Sequence, residues 1–236
     1  MTFYIIGLGL NEKGISLEGW EALKKCKKVY LENYTIDFPY KKQELEKVLK
    51  VKIDELVREK VETEKFVCEA KKKDIALLIY GNALVATTHI SLLFKCREEK
   101  IPYKIIHAAS VFDAITETGL QLYKLGKITN ITKHESESFF KIIEENKIVG
   151  AHSLILLDIG MKVGEALKKL LETANKRKFK LKEVIVCSRL GTKEAVMKYG
   201  EIEKLINQKK EFKLPACLII PGDLHFVEKD AIEKLR

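Results

Sequence analysis

Cysteine is scarce and scattered. Cys26, Cys68, Cys96, Cys187 and Cys217 make an odd five with no C-x-x-C spacing. That excludes a disulfide framework and a zinc ribbon, and it points to a reducing cytoplasm. The five histidines, His89, His107, His134, His152 and His225, form no H-x-x-x-H or H-E-x-x-H pattern, so no metal is expected. No apolar run approaches the roughly 20 residues that a bilayer span needs, so no membrane partner is expected. Residues Met1 to Gly9 lack a basic leading region and read directly as a strand, not as a secretory signal. Internal repeats and low-complexity tracts are also absent.

What is present is an ordinary soluble mixture. A chain of 236 residues can build one large domain or two modest ones, each with a full core. The formal net charge of +9 admits nucleic acid, an acidic protein or anionic lipid as a partner. The blander reading is that lysine is simply the favoured surface residue. Lys24-Lys25, Lys27-Lys28 and Lys71-Lys72-Lys73 all lie on expected helices beside glutamates, which favours that reading.

Strand-like runs alternate with amphipathic helices. Residues 2–6 are apolar and end in Gly-Leu-Gly-Leu. Ser16 is placed to cap a helix carrying Trp20, Leu23 and Cys26 at helical spacing. Residues 29–31 form a second short strand, and the charged stretch from Lys41 to Lys73 is expected to be helical. Residues 75–79 are continuously apolar, which suits a strand buried on both faces. Residues 103–106, 153–159, 184–187 and 216–220 complete the expected strands, and 162–175 a helix. Strands separated by helices predict βαβ units and parallel sheets. The fold class is therefore α/β, in two domains. The boundary falls within residues 107–112 and is drawn after residue 109, giving domains 1–109 and 110–236.

Several strand ends carry residues suited to chemistry. Gly7-Leu8-Gly9-Leu10 follows the first strand, where glycines let a ligand approach the backbone. The Rossmann pattern would need a third glycine where Glu12 stands. Glu32, near the spacing of a ribose-binding acid, leaves a nicotinamide site open but weakly supported, and a plain tight turn fits as well. Gly81 to His89 follows the most apolar strand, where open α/β sheets bind ligands. Taken alone, its threonines read as caps and His89 as a core histidine. His107-Ala108-Ala109-Ser110-Val111-Phe112 offers small residues and a candidate helix cap. Leu157-Asp158-Ile159, Ser188-Arg189-Leu190-Gly191-Thr192 and Pro221-Gly222-Asp223-Leu224-His225 are further turns, each more often structural than functional.

Taken together, these segments are distinctive. Gly-Leu-Gly-Leu at 7–10, Glu-Asn-Tyr-Thr at 32–35, Leu-Val-Ala-Thr-Thr-His at 84–89, His-Ala-Ala-Ser at 107–110 and Pro-Gly-Asp-Leu-His at 221–225 occur in this order. The sequence thereby resembles the diphthine synthases, a branch of the tetrapyrrole methylase superfamily, over residues 3 to about 230. The 84–89 string is the most specific element.

The resemblance implies two α/β domains with S-adenosylmethionine bound in the cleft between them, S-adenosylhomocysteine as product, and a homodimer in the cytoplasm. It implies that the acceptor is the 3-amino-3-carboxypropyl-histidine of translation elongation factor 2. Carried over position by position, the cofactor contacts fall at Leu10, Asn82, Val85, Ser110, Val111, Leu157, Leu190 and Ala216. Asn82-Ala83 replaces the Asp-Pro usual in the family, which removes a carboxylate and leaves a neutral amide. Leu190 and Ala216 also depart from the usual residue types.

The catalytic base is not identified. His89 and Asp158 are candidates, each equally readable as structural, and Glu32 and Tyr34 are candidates to face a product cation. Three other readings stay open: a ribosomal RNA ribose acceptor, a porphyrinoid acceptor, and a binding protein with weakened catalysis. The 84–89 string disfavours the first, so no nucleic-acid partner is expected.

Overall fold

The computed structural model describes residues 1–236. Ten strands are present, all but β8 and β9 separated by helices: β1 (Phe3–Gly7), β2 (Lys28–Glu32), β3 (Asp54–Leu56), β4 (Ile75–Ile79), β5 (Tyr103–Ile106), β6 (Thr129–Ile131), β7 (Ser153–Leu157), β8 (Glu183–Ser188), β9 (Val196–Glu201) and β10 (Ala216–Ile220). They form two compact units, Met1–Val111 and Phe112–Arg236.

In the first unit every strand pair is parallel, in the order β3-β2-β4-β1-β5. β4 is buried along its whole length, as its unbroken apolar run predicts. Ile75, Leu77 and Ile79 pack with Phe3, Ile5, Phe66 and Leu92 on one face. Ala76 and Leu78 pack with Ile6, Leu23, Leu31 and Leu45 on the other. Each large apolar side chain so buried contributes about 1.5–3 kcal/mol. Ser16 caps the helix Leu17–Lys25, accepting from the Gly19 amide at 3.1 Å.

This strand order places the site. The chain leaves β1, passes over β4 and returns as β2; it leaves β4, passes over β1 and returns as β5. Neighbouring strands β1 and β4 thus send their crossovers in opposite directions. Their carboxyl ends therefore mark the place where parallel α/β sheets hold ligands.

The second unit departs from the expected parallel pattern. Its sheet runs β6-β7-β10-β8-β9, and only β6 and β7 are parallel. β10 is antiparallel to both β7 and β8, and β8 to β9. Only residues 189–195 join β8 to β9, too few for a parallel crossover, which takes a dozen or more. The 41–73 stretch departs too, since it contains β3 and the 3-10 helix Lys65–Lys71 beside two short α-helices. Its lysines do lie on solvated, ion-paired surface: Lys71 reaches Glu99 at 2.6 Å and Lys73 reaches Glu69 at 2.7 Å.

The C-terminal helix Phe226–Glu233 is fastened to its unit by one carboxylate. Glu228 is fully buried. It accepts from the amides of Gln121 and His225 at 2.9 and 2.8 Å, and from Lys124 Nζ at 2.6 Å. His152 Nδ1 accepts from the Gly222 amide at 2.8 Å, so its proton sits on Nε2 and is donated to Glu228 at 2.9 Å. Burial opposes ionisation, but the Lys124, backbone and His152 donors prevail and hold the Glu228 carboxyl at about 2, against 4.5 ordinarily. Its stabilising contribution is therefore full above pH 4.5 and is lost as pH falls toward about 2. Glu228→Gln is expected to cost about 3 kcal/mol near neutrality, because buried donors lose a charged acceptor. The variant's thermal melts should also depend less on pH between about 4.5 and 2 than those of the parent chain.

Candidate active site

The turns after β1, β4 and β5 converge at the carboxyl edge of the first sheet. Leu8 continues the ladder, its amide donating to the Ile79 carbonyl at 2.8 Å. Gly9 and Gly81 then exchange both backbone hydrogen bonds, at 3.1 and 2.9 Å. Both have positive φ, +69° and +71°, which glycine adopts without steric cost. A Cβ on Gly9 would also stand 2.6 Å from the Gly14 carbonyl oxygen. Tyr80 adds a side-chain tie, its Oη donating to the Leu10 carbonyl at 2.9 Å.

Five of the residues expected to contact a cofactor belong to these turns. Leu10 is buried beyond β1, and Asn82 and half-buried Val85 follow β4. Buried Ser110 and half-buried Val111 follow β5, after Ala108 and Ala109. Asn82 Oδ1 lies 2.9 Å from His107 Nδ1, so the ring nitrogen donates to the amide oxygen. Sequence reasoning missed that bond and the Tyr80 tie. The only signals for them were that His107 and Tyr80 stand at strand ends.

The other three belong to one edge of the second sheet. Leu157 ends β7 and Ala216 begins antiparallel β10, whose Cys217 faces Leu156. Ala216 also pairs with Ser188, the last residue of β8, and buried Leu190 stands two residues beyond it. The turn carrying Leu190 is held by Arg189, whose amide donates to the Pro215 carbonyl at 2.8 Å and whose Nε donates to that of Leu214 at 2.9 Å.

Of the candidates for the base, Asp158 is hydrogen-bonded within a turn and His89 is buried, and Glu32, a candidate to face a product cation, closes its own turn. Asp158 accepts from the amides of Lys133 and Ile159, at 3.0 and 2.9 Å. The Lys133 amide hydrogen bond leads the effects that lower its pKa, which suits a turn cap and makes it a weak base. Glu32 is fully buried and accepts from the Tyr34 amide, the Thr35 amide and the Thr35 hydroxyl, at 3.1, 2.7 and 2.8 Å. Burial raises its pKa, and those donors oppose the rise. His89 is 2% exposed, with Nε2 3.5 Å from Tyr34 Oη. Burial pushes its imidazole down to about 4.

The sequence as a whole has full-length relatives. The sequence model of the family "Tetrapyrrole (Corrin/Porphyrin) Methylases" matches residues 2–206. A diphthine synthase of Methanococcus maripaludis is 41% identical over 97% of this chain and 96% of its own length. The chain belongs to the diphthine synthase branch of the tetrapyrrole methylases. The diphthine methyl ester synthase of Schizosaccharomyces pombe is 33% identical over 96% of this chain and 91% of its own. A crystal structure of a diphthine synthase superposes with a TM-score of 0.91, at 30% identity, covering 100% of this chain and 96% of that one.

As a diphthine synthase family member, the chain is an S-adenosylmethionine-dependent methyltransferase that releases S-adenosylhomocysteine. The first unit's carboxyl edge fits such a group. Its glycine turns allow backbone approach, Leu10 and Val85 offer apolar surface, and Ser110 and Asn82 offer hydrogen bonds. The cofactor supplies the electrophilic methyl group, and the protein's part is to bind and orient.

His89 should titrate near pH 4, against 6.5 for a free imidazole, when followed by NMR of ring-labelled protein. Because the folded chain resists its protonation, the linked stability is full above pH 6.5 and declines as pH falls toward about 4. Replacing His89 with glutamine should flatten the pH dependence of thermal melting within that window.

Proposed function

We propose that this chain methylates the amino group of the 3-amino-3-carboxypropyl-histidine of translation elongation factor 2 to give diphthine. The observation that carries the reading is the end-to-end similarity to a diphthine synthase. The ligand-accepting edge at the turns after β1, β4 and β5 supports it. The proposed cofactor contacts are Leu10, Asn82, Val85, Ser110 and Val111 from the first unit, and Leu157, Leu190 and Ala216 from the second. The enzyme works as a homodimer in the cytoplasm on this reading, and its charge of +9 steers the encounter with an acidic partner.

Purified chain should transfer labelled methyl groups to elongation factor 2 that bears the aminocarboxypropyl-histidine. The unmodified factor offers no acceptor amine and should stay unlabelled. Mass spectrometry of the product should find a trimethylammonium with a free carboxylate; a methyl ester would assign the activity named for the Schizosaccharomyces relative. If ribosomal RNA or a porphyrinoid takes the label while the modified factor does not, the proposed acceptor is wrong.

Asn82 provides a second test. An amide there makes a neutral hydrogen bond where a carboxylate would make a charge-assisted one. Asn82→Asp is expected to tighten S-adenosylhomocysteine binding by about 1 kcal/mol, roughly fivefold, measured by calorimetry. Weaker binding would mean that the surroundings of Asn82, including the His107 bond, are matched to the amide.

A further inference from the structure

The β4 turn concentrates unfavourable features in four consecutive residues. Ala86 adopts φ +56°, a left-handed conformation in which a residue with a Cβ is strained. Thr87 Oγ1 is shut off from solvent with no hydrogen-bond partner, and so is Nδ1 of His89. A buried polar atom left unpaired costs about 1–3 kcal/mol. Strain and orphaned polar atoms that gather at a strand end beside a ligand crevice are the pattern of a site kept for binding.

The surroundings fix what the orphaned atoms offer. Tyr34 Oη faces His89 Nε2 at 3.5 Å. Burial, then the Glu32 carboxylate, push the Tyr34 phenol up to about 12, so it stays protonated and is able to donate to Nε2. In the tautomer where the phenol donates, the imidazole's own proton sits on Nδ1. The turn Glu32 to Thr35 that presents Tyr34 is itself locked by hydrogen bonds to Glu32. In that tautomer Nδ1–H and the Thr87 hydroxyl are two buried, uncharged groups able to donate and without a partner.

Two neutral donors out of water suit an anionic oxygen, because a hydrogen bond to an ionised acceptor is about twice as strong as one between neutral groups. Both reactants of the proposed reaction end in an α-amino acid, one in the methionine part of the cofactor and the other in the aminocarboxypropyl group of the acceptor. We propose that His89 holds this tautomer and that Thr87 and His89 form a subsite for the α-carboxylate of one of these two ligands. The proposal rests on the diphthine synthase reading given above.

Four variants test it: Thr87→Val, Thr87→Ser, His89→Gln and His89→Asn. Valine removes the hydroxyl at constant shape. Glutamine keeps a polar atom near Nε2 but loses the Nδ1 donor, whereas asparagine places a donor near Nδ1. Thr87→Val and His89→Gln should weaken one ligand by tenfold or more, with Thr87→Ser and His89→Asn recovering most of the loss. A rise in KM for the modified elongation factor, with S-adenosylhomocysteine affinity by calorimetry unmoved, assigns the carboxylate to the acceptor. Weakened S-adenosylhomocysteine binding assigns it to the cofactor. If both affinities hold and Thr87→Val simply melts higher, as loss of an idle buried hydroxyl would cause, the subsite does not exist. If His89→Asn is as impaired as His89→Gln, the donor at Nδ1 is wrong. Should the unaltered chain bind S-adenosylhomocysteine but leave the modified factor unlabelled, the proposed acceptor fails, and the calorimetric comparison alone decides the subsite.

Discussion

Two backbone hydrogen bonds between Gly9 and Gly81 hold the functional edge of the first unit together. Parallel strands β1 and β4 end side by side, and without these bonds their turns would be free to splay. The exchange reverses the local pairing from parallel to antiparallel, which needs positive φ at both positions. Once made, it leaves Leu10 and Asn82 directly beyond the two pairing glycines. Tyr80 then fastens the Leu10 carbonyl, and His107 fastens Asn82. Each of these depends on the chain crossing at Gly9 and Gly81, which in turn depends on the strand order that sets β1 beside β4.

The second unit reaches a comparable arrangement by other means. Its edge residues Leu157, Leu190 and Ala216 are gathered by antiparallel pairing, which sets the end of β7 and the end of β8 level with the start of β10. Its C-terminal helix is held by a buried charge rather than by a broad apolar face, since Phe226 and Val227 are exposed and only Glu228 and Ile232 are buried. A carboxylate with four donors tolerates little displacement, so the Pro221 to His225 turn has one seat, beside residues 150–152. That explains a motif that otherwise reads as an unremarkable helix start.

Seven of the ten strands were legible because each is a run of apolar, mostly β-branched or leucine residues bounded by turn formers. β3 and β6 were not, being three residues each, with Asp54 and Glu55 or Asn130 breaking the pattern. β9 was hidden because it is an edge strand with one buried residue, Tyr199. The site was legible as a set of strand ends and no further. Tyr34 and His89 are 55 residues apart, and Asn82 and His107 are 25 apart. Only the order of strands in the sheet brings each pair together, and that order leaves no periodic trace in the sequence. Glu32 illustrates the opposite error: its position drew attention as a ligand-facing acid, yet its oxygens close its own turn.

These observations bear on how a methyl acceptor would lose its proton. An amine must shed a proton for each methyl it gains, which makes a general base attractive in principle. Of the titratable side chains that the sequence singled out, two are hydrogen-bonded within turns and one is a weak base. Asp158 has its pKa lowered while capping a turn. Glu32 is enclosed by donors within its own turn. His89 is held near 4, too weak a base to draw a proton from an alkylammonium. Whichever group takes the proton, the amine must also be aligned with the methyl group. Alignment alone can supply several kcal/mol of barrier lowering, provided the reacting atoms are held near attack geometry. The hydrogen-bonded pair Gly9 and Gly81 fixes the turn on which Leu10 and Asn82 stand, and the unpaired atoms of Thr87 and His89 are the place where the proposed subsite would hold a carboxylate.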